Sequence, residues 1–181
     1  MKFWSVLFIF VLSLPLVALD TEKITWDKTR LLKWEDFKAN PKKHLPYKAN
    51  TNSGLSFSWN ATKSSDETIF TYEVGSNFYP KRSWVKEIEE VDYLLAHEQL
   101  HFDISELYAR KMRKWLSAFH PQTINEAKVE LKKIHTQVEA ERVKMQKAYD
   151  KETNHGMLPE EQKRWQEEVA KALELLVEFS S

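Results

Sequence analysis

The sequence predicts an α+β fold in which a β-hairpin, the centre of a small antiparallel sheet, packs on three long helices. Three observations carry this expectation. Two stretches in the first half alternate apolar and polar residues, the two-residue period of half-buried strands. Polar "SSDE" lies between them. From Pro80 onward apolar residues recur at helical spacing, broken only at His120-Pro121 and at "NHGMLP".

Length and composition bound the rest. With 181 residues, 42% of them hydrophobic, residues 20–181 suffice for one domain with its own core. Lys+Arg and Asp+Glu both number 27, so no basic field exists to draw nucleic acid, and that class of partner is not expected. Cysteine is absent, which excludes disulfides, thiolate nucleophiles and Cys-ligated zinc; a metal would need His and carboxylate ligands. Residues 1–19, "MKFWSVLFIFVLSLPLVAL", have a basic start and an uncharged apolar run of about 16 residues, shorter than the roughly 20 of a spanning helix. They are expected to be a signal peptide. The chain would then be exported to a periplasmic or extracellular place, and would touch a membrane only through an uncleaved signal.

The elements follow in order. Trp26, Leu32, Trp34 and Phe37 are expected to clamp the mixed aromatic and charged start onto the core, with Asn40-Pro41 and Leu45-Pro46 marking loops. In "GLSFSWNATK" (residues 54–63) Leu55, Phe57 and Trp59 share one face. "ETIFTYEVGSNFY" (residues 67–79) supplies Ile69, Phe70, Tyr72 and Val74 as the partner strand. Everything after Pro80 reads as helix. Ser83 or a neighbour would cap a first helix running to about residue 118. Thr123 would cap a second to about residue 150, and Pro159 would start a third ending near residue 179.

The first helix carries "AHEQLHFDISELYAR". Each helical residue turns the direction by about 100°, so His97 and His101 lie on one face, one turn apart, and can aim two imidazoles at one ion. Glu98 lies at the edge of that face. This is the spacing of H-E-x-x-H metalloproteases, in which the glutamate serves as general base. Zinc lowers the pKa of its bound water to about 7, where a carboxylate can take the proton. The competing reading is a pair of helix histidines in ordinary hydrogen bonds. Asp103 and Glu106 point away from the two histidines on a straight helix, and ion pairs with Arg110 or Arg113 are their expected role.

A catalytic zinc needs a third protein ligand. On the second helix Ile124, Ala127, Leu131, Ile134, Val138, Met145 and Ala148 form an apolar seam, and Glu141 interrupts it. If the first two helices form an antiparallel hairpin, residue 99 lies level with residues near 141. A buried carboxylate needs a cation or hydrogen bonds, so Glu141 is one candidate. His155, beside the conformationally free Gly156, is its rival.

Several motifs in one order resemble a known family. "LLKWEDF" (residues 31–37), "ANTNSGLSFSW" (49–59), "SWV" (83–85), "LLAHEQLHFDISELYARKMR" (94–113) and "YDKETNHG" (149–156), with Gln162 and Trp165 behind them, are similar to the bacterial domain of unknown function 922 family, described as predicted secreted zinc-dependent proteases. The resemblance implies a zincin-like fold with His97 and His101 as zinc ligands and Glu98 as catalytic base. It places Tyr149, Asp150, Thr153, His155 and Gly156 on the family's Y-D-x-x-T-x-H-G stretch. His155 is then favoured as the third ligand or as donor to the oxyanion formed on the scissile carbonyl, with Glu141 as the rival third ligand.

The expected function is hydrolysis of peptide or protein substrates by zinc-dependent chemistry, with residues 69–74 pairing with the substrate backbone by strand addition. Two other classes compete. One is a non-catalytic envelope module whose metal, or hydrogen bonds alone, staples the helices. The other is a partner-binding helical domain using Trp165, Val169, Leu173 and Leu176 together with the aromatic start.

Overall fold

The computed structural model describes residues 22–63, 67–86 and 92–181; the expected signal peptide, residues 1–19, lies outside them. Within these residues the fold is α+β, with a small antiparallel sheet and three helices. No described helix is long and apolar enough to cross a membrane.

The alternating stretches become β3 (Ser53–Lys63) and β4 (Thr68–Phe78), antiparallel with Leu55 opposite Ser76, Phe57 opposite Val74 and Trp59 opposite Tyr72. Because side chains alternate across a strand, Leu55, Phe57, Trp59, Phe70, Tyr72 and Val74 all reach one face. There they pack on Met112, Leu116, Ala127, Leu131 and Ile134. Ile69 falls on the other face and is exposed. The short β1 (Ile24–Thr25) pairs with the end of β4, giving the order β1-β4-β3, while β2 (Ala49–Asn50) pairs with β5 (Trp84–Val85).

Ser83 does not cap a helix. Its hydroxyl accepts from the Asn52 amide at 2.9 Å and donates to the Tyr79 carbonyl at 3.0 Å, which ties the chain into the β-layer. Pro80–Arg82 form one 3-10 turn, β5 follows, and α1 spans Asp92–Ser117. Helical periodicity therefore does not extend back to Pro80.

α1 is the central element, packed on the sheet, on the two later helices and on the aromatic start. Leu100, Ile104 and Tyr108 meet Tyr149, Trp165 and Val169, and Met112 and Leu116 meet Ala127, Leu131 and Ile134. Phe102 joins Leu32, Phe37 and Phe78 beneath Trp26 and Trp34, as the aromatic start predicts. Burying about 1.5–3 kcal/mol per large apolar side chain, these clusters fix the helix that carries the histidines. α2 spans Ile124–Glu152, with the Thr123 hydroxyl accepting from the Glu126 amide at 3.1 Å, and α3 spans Pro159–Glu174, followed by one 3-10 turn, Val177–Phe179.

The packing around the middle of α1 encloses acidic residues too. Glu106 is fully buried; its Oε1 accepts from Arg110 Nε at 2.9 Å and Arg113 Nη1 at 3.0 Å. Arg113 also donates to the carbonyls of Val74 and Phe179, and Arg110 to that of Leu173, so this cluster braces α1 against the sheet and the C-terminal end. Among the described residues Asp103 takes no arginine. It accepts from Trp26 Nε1 and Gln99 Nε2, and burial raises its pKa more than these two bonds lower it.

Candidate metal centre

His97, Glu98 and His101 sit in the first half of α1, where the helix faces the C-terminal part of α2. The imidazoles converge as the four-residue spacing requires: His97 Nε2 and His101 Nε2 lie 3.3 Å apart. The carboxylate that meets them is Asp150. Its Oδ1 lies 3.1 Å from His101 Nε2 and 3.4 Å from His97 Nε2. Ligand atoms held about 2.0–2.2 Å from a tetrahedral ion are separated by about 3.3–3.5 Å. These three edges fit, so His97, His101 and Asp150 form a group that could hold a metal ion.

The remaining ring nitrogens are committed elsewhere. His97 Nδ1 lies 3.1 Å from Gln162 Oε1, which also accepts from the Tyr149 hydroxyl at 2.6 Å. His101 Nδ1 pairs with Gln146 Oε1, and Gln146 Nε2 donates back to the His101 carbonyl at 2.7 Å. A neutral ring with Nδ1–H donated to an amide oxygen presents Nε2 as the lone pair a metal ligand needs; without an ion, a protonated His101 instead donates Nε2–H to Asp150. Tyr149 stacks on His97 with centroids 4.6 Å apart and meets His101 edge-on at 4.9 Å, holding both rings. Burial pushes the Tyr149 phenol far up, so it remains a neutral donor.

Charge is balanced locally. Burial works to raise the Asp150 carboxyl, but hydrogen bonds from His101 and His97 outweigh it and hold the group well below the usual carboxylate range. For His101, burial opposes the charged form, yet the Asp150 carboxylate raises its pKa overall. Glu98 is 3% exposed and borders the cleft beside the group; its Oε2 is buried without a hydrogen-bond partner among the described residues. Such an oxygen calls for a partner that the described residues do not supply.

The two candidates for a third ligand fall in different places. Glu141 is exposed on α2 and accepts from Gln137 at 3.0 Å, away from the histidines. Two effects move it. The facing register of α1 and α2 runs ahead of the count from the turn, so His101 meets Gln146 and Asp150. A straight helix also drifts about 20° per heptad, so by the third heptad the inward position is Arg142, which reaches the Ser53 carbonyl at 3.3 Å. His155 lies on the cleft, half-exposed, with Nδ1 3.5 Å from Asp150 Oδ1.

A left-handed turn delivers His155. Asn154, His155 and Gly156 have φ of 48°, 55° and 80°, and the His155 amide donates to the Asp150 carbonyl at 2.7 Å. A Cβ on Gly156 would stand 3.0 Å from His97 Cγ, so the turn packs directly on the first histidine.

The strand at residues 69–74 lies away from this site. β3 reaches it only at its first residue, where Ser53 Oγ donates to the His101 carbonyl at 3.2 Å. Residues 69–74 pair with positions 57–62 farther along, beside Leu116 and Phe119. The chain segment next to the histidines is that around β2: Thr51 Oγ1 donates to the Glu98 carbonyl at 3.1 Å. Sequence reasoning missed Asp150 as the converging carboxylate, and missed Gln146 and Gln162. The Asp150 signal was present in the "YDKETNHG" stretch and that of Gln162 in the motif residues behind it; Gln146 carried none.

Fold and site together define an α+β protein with a two-histidine, one-carboxylate group able to hold a metal ion. Residues 76–156 match the model of the family described as "bacterial protein of unknown function (DUF922)", the family that the motifs resemble. The matched stretch contains α1, α2 and the turn through Gly156; the motifs at residues 31–37 and 49–59, and Gln162 with Trp165, lie outside it. No curated protein and no solved structure matches the chain.

Proposed function

We propose that the protein is an exported, zincin-like, zinc-dependent metallopeptidase. The observation that carries this is the unpartnered Glu98 carboxylate oxygen, buried at the cleft beside three ligand atoms at tetrahedral spacing. His97, His101 and Asp150 would hold the ion, and the borderline-soft N/O donor set without thiolate suits zinc. When bound, such an ion supplies Lewis acidity and lowers the pKa of a water beside it.

The chain's own residues account for the remaining roles. Glu98 accepts the water's proton and later returns it to the leaving amine. Gln162 and Gln146, at the Nδ1 atoms of His97 and His101, would leave both Nε2 atoms free to hold the ion. His155, beside Asp150 on the cleft, would donate to the oxygen of the carbonyl under attack.

A polymer substrate suits the surroundings. The cleft, about 1320 Å³, exceeds the 300–1,000 Å³ of common small-molecule sites and runs along residues 46–51. The Lys86 amide donates to the Lys48 carbonyl at 2.8 Å and Ala49 stands opposite Val85, so β2 uses alternate residues on β5 and turns the Ala49 amide and carbonyl the other way. That edge can take an extended backbone.

The test is hydrolysis of unstructured peptides by the full chain with one equivalent of zinc. Glu98→Gln should retain the metal and lose at least about a hundredfold in rate; full activity in this variant would reject the mechanism. A structural metal staple is the second reading, favoured by ligands drawn from two helices. It requires that chelation unfold a chain that never cleaved peptide.

A further inference from the structure

Large apolar side chains left exposed on a folded chain are ordinary when scattered and informative when gathered. Tyr47, Tyr93, Val143 and Met157 are 39%, 41%, 39% and 73% exposed. All four line the cleft that holds His97, His101 and Asp150. They come from separate parts of the chain: the segment before β2, α1 one turn ahead of His97, α2 just ahead of Gln146, and the turn after His155.

The apolar surface starts close to the reacting centre. The Tyr47 ring lies 4.7 Å from that of His155, whose Nδ1 is 3.5 Å from Asp150 Oδ1. Gly156, next to Met157, packs on His97. Glu98 and Asp150 stand at the candidate metal group, and Lys48, Arg142 and Lys147 line the same cleft, so an acidic substrate side chain placed among the four apolar residues would be set apart by the loss of its hydration against apolar walls rather than by net charge.

Resting on the peptidase reading above, we propose that the cleft selects polypeptide segments presenting a large apolar side chain next to the bond to be cut. That side chain sits among Tyr47, Tyr93, Val143 and Met157. Its burial removes two apolar surfaces from water at once. Folded proteins keep such side chains inside, so the substrate class is extended, locally unfolded polypeptide.

The experiment uses the full-length Glu98→Gln chain with one equivalent of zinc, and fluorescein-labelled octapeptides that differ only in a central Leu, Phe or Asp. Anisotropy should show the Leu and Phe peptides bound about tenfold or more tighter than the Asp peptide. Met157→Asp and Val143→Asp should each remove most of that preference, while Met157→Leu keeps it; both positions are exposed, and a melting curve verifies folding. Equal affinity for all three peptides overturns the proposal. The unsubstituted enzyme on the same peptides separates the two claims. Selective binding without hydrolysis supports the apolar seat and rejects peptidase activity; hydrolysis without preference supports peptidase activity and rejects the seat.

Discussion

Replacing Gly156 with alanine tests the turn and the metal centre in one step. At φ +80° a Cβ pushes the backbone into a conformation that costs an L-residue about 1–2 kcal/mol. The new carbon would also stand 3.0, 3.1 and 3.3 Å from Cγ, Nδ1 and Cβ of His97, a ring clamped between this turn and Tyr149. A shift of that ring weakens the 3.1 Å contact between Nδ1 and Gln162, worth about 0.5–1.5 kcal/mol. The total is roughly 2–3 kcal/mol, or about 6–9 °C of melting temperature at about 3 °C per kcal/mol for a chain of this size. Misplacing a ligand's support should lower zinc affinity about 10–100-fold. Calorimetry of the metal-free chain reads the first effect and competition with a chromophoric chelator the second. Gly54→Ala is the control: its Cβ would meet only Arg142 Nη2, at 3.9 Å, so it should be neutral or slightly stabilising. A Gly156→Ala chain that melts within about 2 °C of the parent and keeps its zinc affinity would refute the account of this turn.

Two further outcomes follow from side-chain placement. Asp150→Asn should weaken zinc binding about a hundredfold or more by titration calorimetry, whereas Glu141→Gln, on the exposed face, should leave it unchanged; the reverse order would restore Glu141 as ligand. Glu106→Gln strips the charge that the buried Arg110 and part-buried Arg113 guanidinium groups share and should cost about 3–5 kcal/mol, read as a melting point about 10–15 °C lower; a shift under about 2 °C would show the brace to be idle.

The parts of this molecule governed by local period were readable from the residues. Leu55, Phe57 and Trp59 announced a half-buried strand and Tyr72 and Val74 its partner; Thr123 and Pro159 marked helix starts to the residue. The convergence of His97 and His101 needed only the pitch of a helix. Quantities that accumulate with distance were less accessible. A small angular drift per heptad exchanged Glu141 for Arg142, and the advance of α2 along α1 put Asp150 at the site. Ser83 has the chemistry of a helix cap, and only the proximity of Asn52, far away in sequence, assigned it to the sheet layer. Asp103, expected to pair with arginine, instead bonds Trp26, which the aromatic start lays across α1.

Gln162 comes from α3, beyond the stretch that matches the family model, yet among the described residues it is the hydrogen-bond partner of His97 Nδ1. A graft of residues 76–156 onto another scaffold would therefore carry both imidazoles and leave one of them unaligned. The portable unit reaches at least through Trp165, whose ring packs on Tyr149 with centroids 5.4 Å apart.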